Sequence, residues 1–337
     1  MSKRLLEVQD LTVGFKAKKK PVAHAVRGMS YGVERGETLA IVGESGSGKS
    51  VGALAMLGLL GRSAEIGGSA MFDGVDLLTL KQKELRTYRG RRIAMIFQDP
   101  MTAFHPAFTI GNQIAETIIV HGLGNKKEAM TRAADLLEMV GVPEPGTRVD
   151  QYPHEFSGGM RQRAMVAMAI ANKPDLLIAD EPTTALDVTI QAQVMEVLAE
   201  MQREVDAAMI LITHDLGVVA NVADRVQVMY GGRIVERSTV KTLFQQPRNP
   251  YTRGLLTSLP RLDGSREDRL DPIKGSPPSI LAMPKGCAFE PRCPFATEIC
   301  KETGAELEEL WLDHESRCHN HAAMPEWTDV IDTKVAT

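Results

Sequence analysis

The run Gly43-Glu44-Ser45-Gly46-Ser47-Gly48-Lys49-Ser50 constrains this chain more than any other segment. It follows Thr38 to Val42, a short apolar run read as a strand. It precedes Ser50 to Leu60, which has helical composition. Strand, glycine-rich turn and helix in that order define a phosphate-binding loop of the G-x4-G-K-S type, an element of α/β folds. The glycines let the backbone wrap tightly and aim its N–H groups at one point. The helix adds the positive end of its dipole, which favours an anion there. Lys49 supplies a mobile cation for the outer phosphates, and Ser50 offers a hydroxyl to Mg²⁺. Gly43 through Val51 are therefore expected to line a nucleotide. A merely flexible glycine loop is the alternative, and the flanking strand and helix argue against it.

A second segment supplies acids. Leu176-Leu177-Ile178-Ala179-Asp180-Glu181-Pro182 reads as a buried strand of the parallel-sheet type that ends in two carboxylates. Ligands of open α/β sheets sit at the carboxyl ends of strands. Asp180 is expected to face the magnesium bound at Ser50, and Glu181 to accept a proton from an attacking water. A positioned base is worth about 10²–10⁴ in rate. Standing alone, the pair would read equally well as solvated carboxylates opening a turn.

Around these segments the chain alternates β and α texture. Strands are expected at Leu5 to Phe15, Arg92 to Phe97, Met209 to Thr213 and Val226 to Tyr230, and a helix at Ile190 to Met201. Between Thr109 and Val142, apolar residues recur at helical spacing (Ile110, Ile114, Ile118, then Ala133, Leu136, Leu137, Val140), which predicts a helical insert. Pro143, Pro145 and Gly146 close it. Beyond Leu259, repeated prolines mark a linker, and the segment from Gly286 holds every cysteine. The 337 residues, 43% hydrophobic, suffice for one large α/β core and a smaller unit. We divide the chain at residues 1–259 and 260–337, with a helical subdomain near 105–172.

A net charge of −4 shows no basic excess of the kind nucleic-acid proteins carry. Lys18-Lys19-Lys20, followed by Pro21, reads as a solvated turn. No segment reaches the roughly 20 apolar residues of a membrane span. Leu5-Leu6-Glu7-Val8 begins a strand where a signal peptide would have its apolar core. A cytoplasmic chain is expected; if it serves a membrane event, it must do so by docking onto other subunits.

Four further segments carry a family resemblance. Phe156-Ser157-Gly158-Gly159-Met160-Arg161-Gln162-Arg163 resembles the signature of ATP-binding-cassette (ABC) ATPases. Gln98 is similar to the Q-loop glutamine, Ala185-Leu186-Asp187 to the D-loop, and Thr213-His214-Asp215 to the switch histidine, all in the family's order. The resemblance implies a RecA-like core with an antiparallel β part and a helical subdomain. It implies ATP hydrolysis with Gln98 and Asp180 assisting Ser50 at Mg²⁺, Glu181 as base and His214 on the γ-phosphate. It further implies that Ser157, Gly158, Gly159 and Met160 contact nucleotide held by a second ATPase subunit, head to tail. Phe156 and Met160 depart from the commoner Leu and Gln but flank the phosphate-contacting centre. Phe15 is a candidate to stack on adenine, and core packing is its other reading.

Residues 43–50, 97–102, 179–189 and Asn249-Pro250-Tyr251-Thr252-Arg253-Gly254-Leu255-Leu256 sharpen the resemblance to the ATPase subunits of dipeptide and oligopeptide importers, from about Leu5 to about His319. That group implies a paralogous second ATPase, two transmembrane permease subunits, an extracytoplasmic peptide-binding protein, and a peripheral place on the cytoplasmic face of the inner membrane. Importers of nickel or glutathione remain open. So do a soluble ABC ATPase of DNA repair or translation and a metal-binding module that only senses nucleotide. Neither of the last two fits well: the chain lacks a second cassette, a coiled-coil insert or a basic surface, and it holds a complete hydrolytic set.

Cys287, Cys293, Cys300 and Cys318 form C-x5-C-x6-C-x17-C. Disulfides suit a reducing cytoplasm poorly, and unrelated thiols are hard to credit when the rest of the chain has none. Zinc lacks its usual short knuckle, although His314, His319 or His321 could substitute as a ligand. An iron–sulfur cluster needs four thiolates. The importer group is similar in its Arg-Cys-Pro and Cys-His elements, and this resemblance implies a [4Fe–4S] cluster on the four cysteines. Arg292 and Arg317 adjoin two of them and are expected to help hold a net-negative cluster.

Overall fold

The computed structural model describes residues 4–16, 22–183, 188–259 and 273–327. Lys18 to Lys20 and Asp187 thus lie outside the described residues. In chain order the strands are Leu6–Phe15 (β1), Ala23–Val33 (β2), Thr38–Val42 (β3), Ala64–Phe72 (β4), Val75–Asp76 (β5), Ile93–Ile96 (β6), Leu176–Asp180 (β7), Ala208–Thr213 (β8), Arg225–Tyr230 (β9), Arg233–Thr239 (β10), Glu308–Trp311 (β11) and His314–Ser316 (β12). Two compact units emerge. One gathers Met1–Leu5, Val33–Glu37 and Thr79–Leu211. The other gathers Leu6–Gly32, Thr38–Leu78 and Ile212–Thr337.

In the first unit the strand order is β8-β7-β6, with β6 and β7 parallel and Ile93 opposite Leu176. All five residues of β7 are buried, which accounts for its unbroken apolar sequence. The expected helical insert resolves into Ile110–Val120 and Lys126–Met139. Thr109 caps the first by accepting from the Asn112 N–H. Asn125 and Glu128 form a capping box on the second. Ile110, Ile114, Ala115 and Ile118 are buried together with Ala129, Ala133, Leu136 and Leu137. Of these, Ile110, Ile114, Ile118, Ala133, Leu136 and Leu137 are positions that the helical periodicity selects, and Val140, selected with them, is buried too.

The second unit carries a four-stranded sheet of order β2-β1-β4-β5 and the strand series β11-β12-β10-β9-β3. Strands β1 and β4 run antiparallel from Leu6 opposite Phe72 to Phe15 opposite Ala64, with a register shift between Gln9 and Thr12. Neither β2 nor β4 follows from a clear alternating pattern, so the antiparallel part rested on resemblance alone. The helix after the phosphate loop spans Lys49–Met56 and stops short of Leu60. Gly58 takes a left-handed φ of 58°, and the Gly58 and Leu59 N–H groups turn back to Ala55 and Leu54. That glycine-ended turn satisfies the last carbonyls and halts the helix.

The cysteine-bearing segment adds to this sheet. β12 pairs antiparallel with β10, Glu236 opposite Ser316, and β11 pairs with β12. Beneath β3 and β9 lies a core of Val42, Val226, Val228, Tyr230, Leu243, Tyr251, Leu256 and Phe289. Cys287 and Cys293 pack against its edge.

Candidate nucleotide site and cysteine cavity

The phosphate loop turns out of β3 under tight steric limits. Gly48 has a φ of 101°, and a Cβ there would stand 2.3 Å from the Ala25 carbonyl oxygen. A Cβ at Gly43 would stand 2.2 Å from that of Met229. Only glycine lets the loop lie this close to two neighbouring strands. Lys49 is buried, and its ammonium donates to the loop's own carbonyls at Gly43 (2.6 Å) and Glu44 (3.1 Å). Ser45 and Gly46 are exposed, and Ser50 and Val51 are half-buried. The Ser47 hydroxyl is buried and, among the described residues, has no hydrogen-bond partner. A buried polar atom of that kind calls for an occupant. A lysine folded onto carbonyls it can release, plus an unsatisfied hydroxyl, suits a loop that receives an anion.

Two residues not foreseen as part of the site support this loop. The Glu44 N–H donates to the Tyr251 hydroxyl at 2.8 Å, and the Glu44 carboxylate accepts two hydrogen bonds from the Arg292 guanidinium at 2.6 and 2.9 Å. Tyr251 is fully buried. Asn249 caps its helix, Pro250–Thr257, by accepting from the Tyr251 N–H. The Asn-Pro-Tyr-Thr-Arg-Gly segment thus builds a post under the loop. No pattern in the sequence signals a pairing that spans 248 positions. In the same unit His214 follows β8 and is exposed. Asp215 caps the next helix by accepting from Gly217 and Val218. Phe15 ends β1, half-buried.

The other expected residues belong to the first unit. Gln98 follows β6, and its amide donates to the Glu181 carboxylate at 2.9 Å. Asp180 closes β7 and is buried. Glu181 next to it holds a φ of 46°, a left-handed conformation that a glutamate adopts at a cost of about 1–3 kcal/mol. The strain fits a side chain that must be aimed. Ser157 caps the helix Gly158–Ile170, its hydroxyl accepting from the Met160 N–H, and Ser157 and Gly158 are exposed. With Gly159 and Met160 in its first turn, this helix start is open to an anion. Gln162, one turn further on, is buried and donates to the Pro182 carbonyl. It ties the signature helix to the residues directly after Glu181.

All four cysteines line one cavity of about 240 Å³, together with Arg317 and His319. Burial pushes the Cys318 thiol up to about 12 and Cys293 up to about 11, and raises Cys287 as well. The neighbouring thiols add to each shift. Among the described residues no three Cys, His, Asp or Glu side chains are drawn onto a single-ion position. Two expectations are corrected. His314 is buried and its ring pairs with Glu236 at 2.8 Å, away from the cavity. Arg292 also turns away: its five N–H donors go to Glu44, Tyr230, Ile273 and Lys274. Their geometry serves the phosphate loop, whereas Arg317 lines the cavity, together with Arg27 and Arg233.

A phosphate loop, an acid-ended strand, a glutamine–glutamate pair and a capped signature helix together define an ATP-binding cassette that hydrolyses ATP. Residues 26–184 match the family described as ABC transporter, and residues 235–300 match the oligopeptide/dipeptide transporter C-terminal region. The chain belongs to the family of oligopeptide and dipeptide transport ATP-binding proteins. It is 53% identical over 298 residues to the oligopeptide transport ATP-binding protein OppD of Bacillus subtilis, covering 88% of this chain and 83% of that one. It is 50% identical over 316 residues to the dipeptide transport ATP-binding protein DppD of Haemophilus influenzae, covering 94% and 95%. Among solved structures, it resembles the dimeric post-hydrolysis state of the ATP-binding cassette MJ0796 bound to ADP and Pi. The TM-score is 0.63 at 25% identity, over 70% of this chain and 98% of that one. Among the described residues no helix is long and apolar enough to cross a membrane.

Proposed function

We propose that this chain powers a membrane importer of dipeptides or oligopeptides by hydrolysing ATP at the residues named above. Lys49, the loop N–H groups and Ser47 hold the phosphates. Ser50, Asp180 and Gln98 offer oxygen atoms alone, the donor set that suits Mg²⁺. That ion would neutralise charge building on the transferred phosphoryl group. Glu181 orients and deprotonates the attacking water, steadied by Gln98, and His214 contacts the γ-phosphate. Phosphoryl transfer needs mainly positioning and charge stabilisation, which such groups supply. Ser157, Gly158, Gly159 and Met160 serve nucleotide on a second ATPase subunit, a role that the neighbour's dimeric state supports. Asp187, outside the described residues, belongs to the same dimer contact. Phe15 stacks on adenine.

The observation that carries the peptide reading is the match of residues 235–300 to the C-terminal region of oligopeptide/dipeptide transporters. The partners are then a paralogous ATPase, two permease subunits and an extracytoplasmic peptide-binding protein, with this chain peripheral on the cytoplasmic side of the membrane. In the division we propose, residues 260–337 form the extension and about 105–172 the helical subdomain. Cys287, Cys293, Cys300 and Cys318 hold a [4Fe–4S] cluster; four thiols around one cavity, not gathered on one point, support a cluster over a single zinc ion. The test is uptake of labelled di- and oligopeptides by cells carrying this chain or its Glu181→Gln variant in place of the native gene. Uptake lost only with the variant is the expected result. Unchanged peptide uptake would move the solute to nickel, glutathione or another small molecule.

A further inference from the structure

The phosphate loop contains an acid where its ligand is strongly anionic. Glu44 is the second residue of the loop, directly before the exposed Ser45 and Gly46. A carboxylate left loose there would repel a bound polyphosphate, because unit charges some 10 Å apart still interact by about 1 kcal/mol at intermediate dielectric. In this fold the carboxylate is taken up. Arg292 grips both of its oxygens, at 2.6 and 2.9 Å, and the Arg292 side chain is only 5% exposed against 27% for Glu44. The guanidinium is itself held on every side. It donates to the Tyr230 hydroxyl and to the carbonyls of Ile273 and Lys274, and its ring neighbours are Tyr230 and Phe289. No donor is left to wander, so the fork has one orientation.

A second contact comes from the same extension. Pro277, Pro278, Ile280 and Met283 line a small cavity with Glu44, Ser45, Gly46 and Ser47. The extension therefore borders the phosphate loop twice, once through the Arg292–Glu44 pair and once across a shared cavity.

We infer that Arg292 is a positioning residue for the nucleotide: by neutralising and anchoring Glu44, the cysteine-bearing extension sets the affinity of the phosphate loop for ATP. This rests on the reading that the loop around Lys49 holds the phosphates. Arg292 touches no reacting atom, so it acts on binding and leaves the chemical step alone. Because Arg292 adjoins Cys293, the extension that builds the thiol cavity is also the one that tunes the ATP site.

The experiment is calorimetric titration of the full-length chain with a non-hydrolysable Mg-ATP analogue, paired with steady-state ATPase kinetics of the assembled complex. Arg292→Ala should weaken binding and raise KM by about tenfold, with kcat at saturation within about twofold. Adding Glu44→Gln to Arg292→Ala should return the affinity to within about threefold of wild type, since the stranded charge is then gone. A purely structural loss would not be rescued that way. Affinity unchanged in a cooperatively melting Arg292→Ala, or no recovery in the double variant, overturns the inference. If Arg292→Ala does not fold, Arg292→Lys keeps the charge without the fork and should show a rise of about threefold; wild-type affinity there is equally fatal. Lys49→Ala is the control. If it binds as wild type, the phosphate-loop reading fails. If it abolishes binding while the Arg292 variants behave as wild type, only the present inference fails.

Discussion

Gln98 donates to the carboxylate of Glu181 across 2.9 Å, joining two residues 83 positions apart that were each selected from separate motifs. The bond orients the acid whose backbone already sits in a left-handed turn at the end of β7. Glu181→Gln should keep ATP binding within a few-fold yet lower the turnover of the assembled transporter by about 10²–10⁴. Nucleotide binding and phosphate release, measured on the same preparation, check this. Near-normal turnover would remove Glu181 from the role of base.

Gln98→Ala should act through the same pair but more mildly. It deletes one hydrogen bond worth about 0.5–1.5 kcal/mol, which corresponds to a fall in kcat of about tenfold or less. In Glu181→Gln the part of the effect that runs through this pair should vanish, leaving only what the Gln98 oxygen contributes at Mg²⁺. Full additivity of the two losses would show that Gln98 does not act through Glu181.

Gly48→Ala should cost the chain its nucleotide binding. A left-handed backbone at a non-glycine residue costs about 1–3 kcal/mol, and the new Cβ would meet the Ala25 carbonyl at 2.3 Å. A lowered melting temperature together with lost analogue binding is the expected pair of results. Wild-type affinity would mean that the loop tolerates a shift this geometry does not allow.

Cys293→Ser should lower iron and sulfide content before it affects ATP hydrolysis, because the cavity uses all four thiols and a serine is a poor replacement for thiolate. Elemental analysis and visible absorption of anaerobically purified protein check this. Full occupancy in the variant would exclude Cys293 as a ligand, and stoichiometric zinc in the wild type would replace the cluster.

His314→Ala should destabilise the extension. His314 and Glu236 are both fully buried and paired, and Glu236 also accepts from the Arg248 N–H. Losing the imidazole removes the side-chain partner of a buried carboxylate, a loss of about 1–3 kcal/mol. Thermal unfolding should register it, with little change in ATP affinity. An unchanged melting temperature would mean that water replaces the ring at no cost.

The helices of the insert were legible because Ile110, Ile114 and Ile118 repeat at the helical period and Asn125 with Glu128 is a local capping signal. β7 was legible because five buried residues in a row leave an apolar run. β2 and β4 were not, since their burial alternates irregularly and their pairing is set by a distant strand. The fate of Arg292 was misread for a related reason. Its sequence neighbour is a cysteine, but its side chain is committed to a residue 248 positions away.

The sequence by itself determined the chemistry: a glycine loop with Lys49 and Ser50, a strand ending in Asp180 and Glu181, a signature helix opening at Ser157, and four thiols in one tail. These signals are local, because backbone wrapping, helix capping and strand burial depend on residues close together in the chain. The tertiary structure alone decided what each polar group answers to. It set Gln98 on Glu181, Gln162 on the Pro182 carbonyl, Tyr251 under the phosphate loop and Arg292 on Glu44. Such pairings depend on which buried donors and acceptors the packed chain leaves facing one another, and no short-range pattern encodes that.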